Sequence, residues 1–259
     1  MKHRLLLIFR IVSIIIVLVC LIYVLIWYIN NKSNAKLQSE LQSYVKTVSI
    51  TTSSSGSSNQ DETNSSKVAT NEEKYEAIEV DFKSLLEKND ETVGWIRISN
   101  TNIDFPIVKG INNTFYTKHD FEKKWNLGGW IFADYRNNFP SIDTNTIIFG
   151  HNRRNGTMFS HLNTYLDSKP TDSIVFVTKD HTYSAKIFSL YKSTAKSLDL
   201  PINFDNADSY TSTINNWKTK SIHSFDLTPT YPDKLLTICT CANNSSYRIV
   251  MHTKITQIK

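Results

Sequence analysis

Lys234-Leu235-Leu236-Thr237-Ile238-Cys239-Thr240-Cys241-Ala242-Asn243-Asn244-Ser245-Ser246-Tyr247-Arg248-Ile249-Val250-Met251-His252 is the most informative stretch of the chain. Two apolar, β-rich runs flank a short polar loop, the pattern of strand, turn, strand. Cys241 falls where the first strand runs out, and Arg248 where the second begins. Antiparallel pairing brings a thiol and a guanidinium to the same end of one sheet. A cysteine at a strand end beside a cation is in an environment that favours the reactive thiolate.

Upstream of this hairpin, six more short strand signals follow one another between polar turns. They are Val93 to Ile98, Ile103 to Val108, Trp130 to Ala133, Thr146 to Phe149, Ile174 to Val177 and Thr182 to Leu190. Eight short strands predict a mainly β fold with added helices, built on a closed or nearly closed eight-stranded barrel. Between the sixth and seventh strands, Tyr210, Ile214 and Trp217 stand at helical spacing, so a helix over Asp205 to Lys218 is inserted before the cysteine strand. Ile78, Phe82 and Leu85 repeat the same spacing and predict an N-terminal helix over Tyr75 to Lys88.

Further back the composition changes. From Ile11 to Ile29 nineteen residues carry no charge, enough to span a bilayer core as a helix. Tyr23, Trp27 and Tyr28 lie towards its far end, as an interfacial aromatic belt would. Lys2, Arg4 and Arg10 precede the span and predict a cytoplasmic N-terminus, with the remainder outside the cell membrane. No small-residue cleavage site follows, so residues 1–32 read as a cytoplasmic stub and an uncleaved single-pass anchor. Residues 33–73 include the low-complexity run Thr51 to Gln60 and read as a flexible tether with a short helical stalk over Lys36 to Lys46. Residues 74–259 are then the catalytic domain.

The net charge of +5 comes from 29 basic and 24 acidic residues. Setting aside Lys2, Arg4, Arg10 and Lys32 leaves 25 basic residues against 24 acidic ones, so the basic balance belongs to the anchor and argues against a nucleic-acid partner. The three cysteines, Cys20, Cys239 and Cys241, form no disulfide framework. Cys20 lies within the apolar span, and Cys239 and Cys241 are two apart on one strand, a spacing poorly suited to a bridge.

A thiol nucleophile needs a base or a cationic neighbour. His3 lies on the wrong side of the anchor. Among the others His151 is the best placed, directly after the strand Asn145-Thr146-Ile147-Ile148-Phe149-Gly150 and hence at a sheet rim. His252, four residues beyond Arg248, is the runner-up. Arg248 is positioned to stabilise an oxyanion or hold a substrate carbonyl. Thr240 adjoins the thiol and reads as a substrate contact through its hydroxyl, while Cys239 reads as a small buried apolar residue. A zinc site from Cys239, Cys241, His151 and His252 is the rival use of these side chains, but C-x-C on one strand is a poor ligand pattern.

These residues resemble a known family. Thr237-Ile238-Cys239-Thr240-Cys241 is similar to the T-L-x-T-C motif of sortases, the cysteine transpeptidases of the Gram-positive cell surface. Arg248 matches their downstream arginine, and His151 in Gly150-His151-Asn152 their catalytic histidine. Gly94-Trp95-Ile96, Thr101-Asn102-Ile103-Asp104-Phe105-Pro106-Ile107-Val108 and Asp134-Tyr135-Arg136-Asn137 resemble the class B branch, and the likeness extends over residues 74 to 259. Ile238 departs from the usual leucine, and Cys239 places a second thiol at the free position. The loop from Ala242 to Tyr247 lacks the acidic residue that some class B members carry, so no carboxylate partner is assigned to His151.

The resemblance implies a transpeptidase that cleaves a sorting signal near the C-terminus of secreted surface proteins. Cys241 would form the thioacyl intermediate, His151 would shuttle protons, and Arg248 would hold the substrate and stabilise the oxyanion. A cell-wall precursor (peptidoglycan) amine would take the acyl group, or less often a pilin amine. No metal or organic cofactor is implied. Two other readings remain: a cysteine protease working by hydrolysis with the same residues, and a non-enzymatic surface-binding module.

Overall fold

The structure is a computed structural model that describes residues 2–53, 72–241 and 246–259. Eight strands close into one barrel: β3 (Thr92–Ile98), β4 (Asp104–Val108), β5 (Phe132–Ala133), β6 (Asn145–Gly150), β7 (Ile174–Thr178), β8 (Thr182–Thr194), β9 (Leu235–Cys241) and β10 (Tyr247–Gln257). Their order around the barrel is β10-β8-β7-β3-β4-β5-β6-β9. These are the eight expected strands, and closure leaves no unpaired edge for other chains to add to. All neighbours run antiparallel except β4 with β5 and β6 with β9.

The pattern of β6, β9 and β10 follows from burial on both faces. One face, carrying Ile148, Leu236, Ile238, Ile249 and Met251, joins the barrel interior with Trp95, Phe105 and Trp130. The other face, carrying Ile147, Leu235, Cys239 and Val250, packs under helix α4 (Ala207–Lys220) with Tyr210, Ile214 and Trp217. A strand covered on both sides reads as a continuous apolar run rather than an alternating one. The helix matches its expected place. Asn206 caps it by accepting from the Ser209 amide at 2.9 Å while the Ser209 hydroxyl accepts from the Asn206 amide, a reciprocal cap that satisfies two end donors.

Two N-terminal expectations differ from the structure. The helix expected over Tyr75 to Lys88 forms only as α2 (Phe82–Lys88), whose cap Asp81 accepts from the Ser84 amide at 3.1 Å. Residues upstream form β2 (Glu72–Val80), paired antiparallel with β1 (Val45–Ser53). The available partner strand overrides the helical spacing, because a backbone ladder over nine pairs satisfies the donors that a lone helical turn would share.

The second difference lies in residues 33–73, expected as a tether. Helix α1 runs from Lys2 to Gln42, and β1 follows it; residues 54–71 lie outside the described residues. The portion Leu6–Gln42 is long and apolar enough to cross a membrane. Its last turns dock on the barrel: Leu37 and Leu41 are buried in the main core. Asn34 and Asn126 exchange amide hydrogen bonds at 3.2 and 2.7 Å, and Glu40 pairs with Lys88 at 2.6 Å. Lys36 to Lys46, expected as a short helical stalk, is helical as far as Gln42 and is in large part packed against the domain.

Candidate active site

The site is assembled by register. In the parallel pair, Gly150 of β6 lies opposite Thr240 of β9, so the residues that follow, His151 just past β6 and Cys241 at the last position of β9, stand at one level. In the antiparallel pair, Arg248 of β10 lies opposite Cys241. β9 lies between β6 and β10, and neighbouring strands are about 4.8 Å apart. The three residues expected to carry the chemistry thus meet at one end of three adjacent strands. The loop expected over Ala242 to Tyr247 lies, at 242–245, outside the described residues.

A cleft of about 190 Å³ opens there, lined by His151, Arg248, Thr240, Thr117, Phe132 and Phe149 among others. His151 Nε2 is 2.8 Å from the Thr117 carbonyl. A carbonyl only accepts, so Nε2 carries the hydrogen and Nδ1 keeps the lone pair for proton transfer. Burial holds the His151 pKa below the ordinary histidine value. The charges of Arg153 and Arg248 press in the same direction, and the bond to the Thr117 carbonyl opposes them. The ring is therefore neutral near pH 7 and able to take a proton from a thiol.

Gly129 completes the support of this ring. Its φ is +56°, and a Cβ there would lie 2.6 Å from the Tyr116 carbonyl oxygen and 2.7 Å from His151 Cδ2. The position needs glycine twice over, for the left-handed backbone and for the close approach. Neither Gly129 nor the Thr117 carbonyl was legible in the sequence. A backbone acceptor has no residue-type signature, and the segment between β4 and β5 carries no periodic pattern.

Thr240, expected to contact substrate through its hydroxyl, lines the cleft, but its Oγ1 donates to the Gly150 carbonyl at 2.7 Å. That donor clasps β9 to β6 at the level of the site. Cys239 is buried among the residues under α4 and borders the cleft.

His252, the alternative base, belongs to the core. It stacks on Trp217 at 3.7 Å between ring centroids. Its Nδ1 is 2.9 Å from Thr237 Oγ1, and its Nε2 is 3.1 Å from the Tyr191 hydroxyl. Because the Thr237 hydroxyl donates to Asn145 Oδ1 at 2.8 Å, Nδ1 donates to Thr237 and Nε2 accepts from Tyr191. Both ring nitrogens are engaged, which also removes His252 from the zinc reading. Among the described residues no group of three or more histidine, cysteine or acidic side chains is arranged to hold a metal.

A closed mixed barrel with a strand-end cysteine position beside those of a histidine and an arginine has the parts of a thiol enzyme. Residues 96–256 match the family model described as the Sortase domain. The chain is 33% identical over 189 residues to sortase B of Staphylococcus aureus, covering 71% of this chain and 78% of that protein. The fold agrees with a Staphylococcus aureus sortase B–substrate complex at a TM-score of 0.65 and 34% identity, covering 69% of this chain and 85% of that one. A Bacillus anthracis structure described as similar to sortase B aligns at a TM-score of 0.69 and 27% identity, over 90% of this chain and 98% of that one. The chain belongs to the sortase family, on its class B branch, and is a cysteine transpeptidase.

Proposed function

We propose that the chain is a single-pass membrane enzyme. Its apolar helix holds the N-terminus in the cytoplasm, and its barrel works outside the cell on the sorting signals of secreted proteins. The Cys241 sulfur attacks the carbonyl carbon of the scissile peptide bond, and its proton passes to Nδ1 of His151. Arg248 stabilises the oxyanion that forms. The carbon–nitrogen bond then breaks, and His151 returns the proton to the departing amine, leaving a thioester. An incoming cell-wall amine gives its proton to His151 and attacks the thioester, and the carbon–sulfur bond breaks to regenerate the thiol. Thr240 acts by fixing the level of β9 against β6 and by forming part of the cleft wall.

The observation that carries this reading is the register that brings Gly150 opposite Thr240 and Cys241 opposite Arg248 at the mouth of one cleft. A Staphylococcus aureus sortase B of similar fold is described in complex with a substrate, which supports this reading. Supplying the full chain with a peptide library and an amine tests it, with mass spectrometry of the Cys241 adduct and of the products. A thioacyl adduct on Cys241 and amine-linked product are expected. Hydrolysis alone, with amine present, would favour the protease reading, and no adduct at Cys241 would remove the enzyme mechanism.

A further inference from the structure

A second cleft, of about 460 Å³, lies beyond His151 on the loop that follows β6, and its lining includes Arg153, Arg154, His161, Ser160, Asn152 and Asn102. No aspartate or glutamate lines it. Two lining residues carry buried polar atoms that have no hydrogen-bond partner among the described residues, Arg153 Nη1 and Ser160 Oγ. Ser160 is only 8% exposed. Buried donors left unpaired are rare in native proteins and mark a missing partner. A half-buried guanidinium without a carboxylate calls for an anion.

The arrangement also fixes that guanidinium. Arg153 Nη2 donates to Asn31 Oδ1 of α1. Gly128 makes room for the head, since a Cβ there would lie 2.2 Å from Nη1. Asn152 and Asn163 lock the neighbouring loop by exchanging amide bonds at 2.9 and 2.6 Å. The nearby carboxylate of Asp172 is already engaged by Asn100 at 3.1 Å and by the Tyr165 hydroxyl at 2.5 Å.

We infer that this cleft binds a phosphate-bearing group, held by Arg153 and Arg154, with Ser160 and His161 as further hydrogen-bonding side chains. Guanidinium forks and a hydroxyl match phosphate oxygens. The location favours phosphate over a carboxylate. Asn31 touches the site just past the apolar run that ends at Ile29, so under the anchor reading the cleft stands at headgroup level, where phosphates concentrate. That the cleft takes an anion stands on its lining alone; that the anion is a phosphate, and whether its source is a lipid headgroup or a soluble phosphate, rests on the anchor reading.

The full chain in phosphatidylcholine nanodiscs, titrated calorimetrically with inorganic pyrophosphate, gives the first arm. Saturable one-to-one binding is expected, weakened about ten-fold or more by Arg154→Gln or Ser160→Ala, as loss of a charge-assisted or buried hydrogen bond predicts. Ser160→Ala removes a hydroxyl that the fold does not use, and Arg154 is exposed, so both variants keep the barrel. The second arm compares amide exchange over residues 152–163 in nanodiscs with and without phosphatidylglycerol. Protection by phosphatidylglycerol that Arg154→Gln abolishes, without pyrophosphate binding, makes the ligand a lipid headgroup. Pyrophosphate binding that the variants weaken makes the site a phosphate site open to soluble ligands. The inference is overturned if neither ligand acts, if both variants behave as wild type, or if Lys179→Gln, beyond the far end of β7, weakens binding equally.

Discussion

Replacing Gly129 by alanine separates two costs that one residue bears. The first is conformational: φ at 129 is +56°, and an L-residue there loses about 1–2 kcal/mol relative to glycine. The second is a collision on two sides, with the Tyr116 carbonyl at 2.6 Å and His151 Cδ2 at 2.7 Å. The Tyr116 carbonyl is pinned by the Trp130 amide at 2.9 Å, so the imidazole must yield. Restoring an ordinary carbon–carbon separation moves the ring by about 0.8 Å. That stretches the 2.8 Å bond from Nε2 to the Thr117 carbonyl. A displacement of this size in a proton-transfer group lowers the rate by about 10²-fold. Gly156→Ala is the control: φ there is +82°, and an added Cβ meets nothing within 4 Å. Both variants should lose a few degrees of melting temperature, while only Gly129→Ala loses kcat/KM in a peptide transfer assay. If Gly129→Ala melted like Gly156→Ala yet kept wild-type kcat/KM, the role given to Gly129 in holding His151 would be wrong.

Three further outcomes follow from the same contacts. Because the charge of Arg248 helps to hold the His151 pKa down, Arg248→Gln should move that pKa up towards 6.5, read by NMR titration of the ring; a downward or absent shift contradicts the juxtaposition. His252 is fully buried, and its pKa lies well below 6.5, first through burial and then through Lys220. The folded state therefore binds fewer protons than the unfolded one once pH drops below about 6.5, and stability falls on acidification by up to about 1.4 kcal/mol per pH unit for this one group. His252→Gln should flatten that slope in denaturant melts at pH 7.5 to 5, whatever its effect on stability at neutral pH. Truncation to residues 74–259 removes Leu37 and Leu41, which are 7% and 0% exposed, and with them about 3–6 kcal/mol of burial. The truncated chain should melt on the order of 10 °C below one beginning at residue 31, and equal melting temperatures would mean that α1 contributes nothing to the domain.

Much of the barrel is legible in the chain because strand signals are local. Trp95 and Ile96, or Leu236 and Ile238, announce buried β-structure through their own side chains and their polar turns. Helix α4 is equally plain, since Tyr210, Ile214 and Trp217 form one stripe at helical spacing. The β1–β2 pair is not, because Ile78, Phe82 and Leu85 also fit a helix, and only the arrival of residues 45–53 alongside them resolves the ambiguity. The docking of α1 is hidden for a similar reason. Leu37 and Leu41 are two apolar residues in a polar stretch, and nothing local says that a groove awaits them.

For the chemistry, the chain by itself determined the residue types and their strand-end positions: a thiol at 241, an imidazole at 151, a guanidinium at 248. It also determined the long uncharged N-terminal run, because charge and apolar length are properties of consecutive residues. Only the tertiary structure decided which histidine faces the cleft and which one stacks on Trp217, because His151 and His252 differ not in type but in what folds over them. It alone supplied the Thr117 carbonyl and the bare face of Gly129, since backbone groups are the same in every residue and gain a role only from where the fold carries them.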